Sequence, residues 1–422
     1  MNNGKAYVSP GFIVLWTLTI LGIALILLRF AYGLGSITNL NDDMPWGLWI
    51  SFDILAGIAL AAGGFVLAGT IHLFGRNKFN ELSRPAILTA FLGYIMFIIA
   101  LIVDLGRPWN LLNIIFSGNH TSPLYEVGWC VIFYTFVLFL EFLPAVFERF
   151  NMEQTHKNWK SLVPWLVIII LSIFIFAMTH SWVWAFFMAT IFLAWEISMR
   201  IGIIPRDQQM PILLIIAGII LSTLHQSSLG TIYLMAPHKL HVLWYSPLLP
   251  VLFFLSAVMV GPAMVIFEAI CCDRFLGHRA NFGLLQGLSK TLPFFLGIYL
   301  ITQISDIMAR GALREVFQVS IPSVSWWLEV SIGIIIPILL FISGFTKREG
   351  GLFLAVFIVA AGVVWNRVNV SIVGIETNAS WEAYFPRWSE FFITIGILSG
   401  GLLAYRWFTD NLSLREKIQN KT

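Results

Sequence analysis

The sequence predicts an all-α membrane protein, a polytopic bundle of about ten to twelve transmembrane helices. Three observations carry this. Hydrophobic residues make up 58% of the 422 positions and charged residues only 11%, where soluble domains carry about 25% charge. Mean hydropathy is +0.85. Apolar runs repeatedly reach the roughly 20 residues that cross a 30 Å hydrocarbon layer as helix. A net charge of +3 with scattered basic residues gives no footing for nucleic acid.

Spans are expected at 11–33, 47–74, 84–105, 125–147, 211–230, 247–270, 287–308, 326–345, 351–372 and 388–408. The first run is too long for a signal-peptide core and is expected to remain as an anchor. The apolar stretch 162–199 is too long for one span. Its "MTHSW" at 178–182 predicts a hairpin that either crosses twice or is re-entrant. In domain terms this gives an anchor helix and outer loop (1–46), a first helical bundle carrying the hairpin (47–230), a second bundle (231–372), and a last helix with its tail (373–422).

Most of the 25 Lys and Arg residues, among them Lys5, Lys78, Lys157, Arg206, Arg279, Arg415, Lys417 and Lys421, fall on one side of this topology. The positive-inside bias then puts that side and both termini in the cytoplasm. The outer side collects "NDDMPWGLW" (41–49), "VDLGRPWN" (103–110), "SPLYEVGW" (122–129), "HQSSLG" (225–230), "HKLHVLWYSP" (238–247), "WNRVN" (365–369) and "YFPRW" (384–388).

Ionisable groups inside spans are costly and are functional candidates by default. Asp53 lies about 10 Å into its helix from Trp46. Gly57, Ala61 and Gly64 follow on a similar face, so Asp53 is expected to point into a bundle. Asp104 and Arg107 are three apart and suited to a helix-ending ion pair or to a binding role. Glu126 opens its helix, with Glu141 about four turns deeper, near Pro144. Asp53, Glu126 and Glu141 are candidates for a proton path, against the alternative of unrelated buried acids. His225, with Gln226, Ser227 and Ser228, is placed about five residues inside its helix end. Its imidazole and the Ser228 hydroxyl suit the headgroup of a lipid-soluble quinone, with Asp104 or Glu126 exchanging the proton. A packed core histidine is the competing reading. Glu196, Glu268, Asp306 and Glu329 also lie near or within spans, with nothing around them in sequence to assign a role. Cys130, Cys271 and Cys272 form no C-x-x-C, so no iron–sulfur cluster or structural zinc is expected in this chain. No two histidines are placed to face each other within the membrane, so no haem b is expected either.

The stretches "YGLGSITNLNDDMPWGLWISFDILAGIALAAGGF", "VDLGRPWNL", "EFLPAVFER", "LHQSSLG" and "AYFPRWSEFFITIG" together resemble the NrfD/PsrC family of membrane subunits, of polysulphide- and nitrite-reductase type. The branch most similar is that of the hydrogenase-2 membrane subunit and its sulphate-reducer relatives. The resemblance covers 24–150 and 211–405, with a departure near 151–210. It implies two four-helix bundles with flanking helices and no redox cofactor in this subunit. It also implies a ferredoxin-type iron–sulfur partner, joined in many members by a multihaem cytochrome c or a large catalytic subunit. Asp53, Asp104, Arg107 and His225 lie within the matched motifs and Glu126 within the matched region.

The leading expectation is a menaquinone- or other quinone-reactive subunit of a respiratory oxidoreductase, inactive alone. A passive membrane anchor and a secondary transporter or proton pump are the alternatives.

Overall fold

The computed structural model describes residues 10–42, 44, 46–72, 74–116, 118–119, 121–203, 212–235, 237–277, 281–375 and 384–412. The basic residues Lys5, Arg206, Arg279, Arg415, Lys417 and Lys421 lie outside them. Among the described residues there are twelve helices long and apolar enough to cross a membrane. They are α1 Pro10–Tyr32, α2 Trp49–His72, α3 Asn77–Asp104, α4 Pro123–Arg149, α5 Glu153–Thr179, α6 Trp182–Arg200, α7 Ile212–Leu234, α8 Leu249–Leu276, α9 Phe282–Ala309, α10 Ile321–Ile342, α11 Glu349–Val373 and α12 Trp388–Asn411.

Helices α2, α3, α4 and α7 close one four-helix ring, and α8 to α11 close a second. Helices α2 and α7 both pack on α8, so the rings share a wall. Helices α1 and α12 pair along their length and rest on α3. The stretch at 162–199 belongs to two separate helices, α5 and α6, each long and apolar enough to cross, which pack as a hairpin beside α4 and α7. His180 makes the turn between them in the left-handed region, φ 49°.

Glycines set the tightest crossings. A Cβ on Gly22 of α1 would stand 2.7 Å from the Gly396 Cα of α12, and one on Gly333 of α10 would stand 2.8 Å from the Gly362 Cα of α11. Without water, helix association depends on such close backbone contact. The small face of α2 works the same way. A Cβ on Gly93 of α3 would meet the Ala61 Cβ at 2.8 Å, and one on Gly64 would meet the Ala90 Cβ at 3.0 Å.

Three spans contain wide π turns, at Trp49–Ala56, Ser331–Ile335 and Asn369–Val373. Each holds an extra residue in the turn and re-aims the side chains around it. Those of α2 and α11 touch where Ser371 Oγ donates to Ser51 Oγ at 2.5 Å.

Candidate functional site

The seam between α4 and α7 gathers much of the polar chemistry of the first ring. At the end where α4 begins, Ser228 Oγ lies 2.6 Å from Glu126 Oε1 and 2.8 Å from the Leu224 carbonyl, so its one proton serves one acceptor at a time. One turn inward, His225 is fully buried, with Nδ1 2.7 Å from the Tyr94 hydroxyl of α3. Its Nε2 has no hydrogen-bond partner. The ring packs edge-on to Phe97 and tilted to Tyr94. The Gln226 amide donates to the Ile58 carbonyl of α2 at 2.9 Å, leaving its own carbonyl oxygen unpaired. Glu141 lies deepest, its Oε1 beside Gly218 of α7.

His225 sits deeper than its sequence placement. Helix α7 runs on to Leu234, nine residues past the histidine, or about 14 Å. The apolar residues after Gly230 let the helix continue where the polar cluster had suggested its end.

Asp53 turns toward the flanking helix α12, where Thr394 Oγ1 donates to Asp53 Oδ2 at 2.6 Å. Ala61 and Gly64 on its own helix face α3 instead, so the carboxylate is met by a helix outside either ring. Asp104 interacts with Arg29 of α1. The guanidinium donates from Nε to the Val103 carbonyl at 2.6 Å and from Nη2 to the Leu105 carbonyl. One Asp104 oxygen, Oδ1, is buried without a partner. Arg107 is exposed, and among the described residues no ion pair joins it to Asp104. The chain breaks from helix at Leu105 and swings Arg107 outward, leaving Arg29 to take the neighbouring place.

Glu390, fully buried at the start of α12, holds the loop between α1 and α2 to this region. It accepts from the backbone of Asn39 at 3.0 Å, the backbone of Arg387 at 3.0 Å and the Tyr384 hydroxyl at 2.5 Å. Tyr384 accepts in turn from the Leu48 amide at 2.9 Å, next to the π turn that carries Asp53.

Sequence reasoning missed the polar core of the second ring. Glu329 of α10 is 2% exposed. It accepts from Gln303 of α9 at 3.1 Å, Asn366 at 2.9 Å, Asn369 at 2.6 Å and the Trp244 indole at 3.5 Å. Arg367, assigned to the outer face in sequence, is 1% exposed inside this ring. It donates to Asn366 Oδ1 at 2.6 Å and Ser256 Oγ at 2.7 Å, with its guanidinium carbon 3.7 Å from the centre of the Phe253 ring. Helix α11 runs six residues past Arg367 to Val373 through its π turn, which explains the misplacement. Asp306 pairs with Arg310 at 2.7 Å. Two further carboxylates singled out in the sequence are also partnered. Glu196 pairs with Arg200 at 2.7 Å, and Glu268 ties α8 to Thr89 at 2.7 Å and Tyr405 at 2.5 Å.

This fold and seam define a polytopic membrane protein with protonatable groups buried between helices of one ring. The chain belongs to the polysulphide reductase NrfD family, whose pattern matches residues 36–379. It is 33% identical to a protein of Nitratidesulfovibrio vulgaris, covering 97% of this chain and 96% of that one. It is 29% identical to the probable Ni/Fe-hydrogenase 2 b-type cytochrome subunit of Escherichia coli, covering 95% and 91%. It is 25% identical to the menaquinone reductase integral membrane subunit of N. vulgaris, covering 89% and 84%.

The second of these names raises haem b, and the two histidines within spans of the first ring, His72 and His225, do not face each other. Gln226 touches Ile58 of α2, whereas His72 lies fourteen residues further along that helix, about 21 Å away.

Proposed function

We propose that this chain is the quinone-interacting integral membrane subunit of a respiratory oxidoreductase. It exchanges electrons between a quinone, menaquinone by analogy with the N. vulgaris relative, and an iron–sulfur partner subunit on the periplasmic side. A multihaem cytochrome c or a large catalytic subunit completes the complex in some family members. The chain binds and protonates the quinone, and its partners carry the electrons. No haem or iron–sulfur cluster is assigned to it.

The observation that carries the reading is His225. A buried polar atom without a partner costs roughly 1–3 kcal/mol. Its Nε2 is such an atom, and a quinone oxygen would satisfy it. Ser228 supplies a second polar contact, and Glu126 or Asp104 exchanges the accompanying proton. Asp53 and Arg107 are the further candidates at the outer end, and Asp53, Glu126 and Glu141 those for proton movement. A groove of about 240 Å³, lined by Asn110, Asn113, Asn119 and Ser122 together with Ile114, Leu124 and Tyr125, opens at the start of α4 and would offer a headgroup a way in. Contact with His225 requires the seam to part, because the ring is sealed from solvent.

His225→Leu should leave the complex assembled and slow quinone turnover roughly 100-fold, the contribution of one positioned proton-transfer group. Turnover at the parental rate in an assembled complex would make His225 a packed core residue and favour the passive anchor.

The inner membrane, with both termini cytoplasmic, is the proposed location. Asn119→Cys should then react with an impermeant thiol reagent from the periplasmic face, and Lys78→Cys should be protected. The reverse pattern inverts the topology.

A further inference from the structure

We propose that Tyr134, Ser222 and Tyr94 form a hydroxyl relay along the α4–α7 seam, passing protons between the Glu141 carboxyl and His225. This deepens the quinone reading above and rests on it.

The groups follow one another along the seam, and one step, Tyr94 to His225, is a closed hydrogen bond. Gly218, Ser222 and His225 are spaced i, i+4 and i+7, so they share one face of α7 and span about 10 Å. At the inner end a Cβ on Gly218 would stand 3.2 Å from Glu141 Oε1 and 3.9 Å from Tyr134 Cε2. The carboxyl and the phenol ring thus border the same gap, which the missing side chain leaves open, and the two groups interact electrostatically. One turn outward the Ser222 hydroxyl interacts with both phenols. It makes no hydrogen bond of good geometry to either and is 1% exposed. The two phenol rings meet edge-on, centres 4.7 Å apart. Tyr94 then bonds His225 Nδ1 at 2.7 Å.

Hydroxyls suit this task because each donates one proton while accepting another. A proton can therefore shift along the row without leaving a phenolate in a low-dielectric core. Imidazole completes the row, since its two nitrogens face different partners: Nδ1 faces Tyr94, and Nε2 would face the quinone. Ser222 Oγ, His225 Nε2 and the Gln226 carbonyl oxygen are all unsatisfied within two turns of α7. A purely structural core tends to pair such groups. Quinone reduction consumes two protons with the two electrons delivered by the iron–sulfur partner, and quinol oxidation returns both. The relay would supply or remove these protons through His225.

The test uses the assembled complex in lipid vesicles, with menadiol as the quinol and an artificial one-electron acceptor reduced through the partner subunits. Tyr134→Phe keeps the ring and removes only the hydroxyl; Ser222→Ala does the same for the serine. Gly218→Ala leaves every hydroxyl in place and fills the gap beside Glu141. All three should lower kcat by about 10- to 100-fold, leave KM for menadiol unchanged and enlarge the solvent deuterium isotope effect on kcat. Ser222→Thr, which restores a hydroxyl, should recover most of the rate lost in Ser222→Ala. Parental kcat and isotope effect in both Tyr134→Phe and Ser222→Ala would overturn the relay. A slow His225→Leu beside two such silent variants would sink the relay alone. A silent His225→Leu would sink the quinone reading beneath it. If Tyr134→Phe fails to assemble, the Ser222 pair decides by itself: loss with Ala and no recovery with Thr would count against a relay.

Discussion

Replacing Glu329 with alanine should destabilise the solubilised protein by about 3–5 kcal/mol, the usual cost of removing one member of a buried charged network. Four N–H groups from Gln303, Asn366, Asn369 and Trp244 converge on this carboxylate. Removal strands all four. Asn366 also links it to Arg367, a charge buried inside the same ring at 1% exposure. Two of the stranded amides belong to the end of α11, so the change should reach the Ser371–Ser51 contact and the first ring. Glu329→Gln should cost less, because one acceptor survives while its new N–H faces donors. Unfolding by titration with sodium dodecyl sulfate provides the measurement. A loss below about 1 kcal/mol for alanine would mean that water reaches the site and already shares these hydrogen bonds.

Glu390→Ala should cost roughly 2–4 kcal/mol, from two backbone amides and one hydroxyl losing a buried acceptor. Its effect should be concentrated outside the rings. The Asn39 and Arg387 amides and the Tyr384 hydroxyl all end on this carboxylate, and Tyr384 in turn caps the Leu48 amide. Hydrogen exchange should therefore accelerate in residues 34–49 and at the start of α12, and stay unchanged in α8 to α10. Uniform acceleration across the chain would show that the loop between α1 and α2 is not a separate unit but part of the global fold.

Membrane helices were legible in the sequence because the determinant is local. A span must satisfy its backbone internally and present apolar side chains over a length set by the bilayer. Ten such segments and a longer apolar run at 162–199 can be read along the chain without knowing their neighbours. The same local logic found the hairpin at 178–182 and picked out His225, Glu126 and Glu141 as expensive groups in apolar surroundings. It overreached where an element's end had to be inferred from polarity. The row His225–Ser228 looked like a terminus, and "WNRVN" looked like a surface loop, yet α7 and α11 both continue beyond them.

Only the tertiary structure decided which polar groups meet. Tyr94 and His225 are 131 residues apart, Asp53 and Thr394 are 341 apart, and Glu329 draws its partners from α9, α11 and the segment before α8. No periodicity along one helix encodes such pairs. They arise from the packing angle and rotation of each helix in its ring, set by glycine crossings such as Gly333–Gly362 and by π turns that shift a side chain around the axis. The sequence by itself determined a helical membrane protein with costly groups at particular depths. The fold decided that these groups form a column between α4 and α7 and a closed cluster in the second ring, because a buried charge or hydroxyl is stable only beside partners that other helices bring to it.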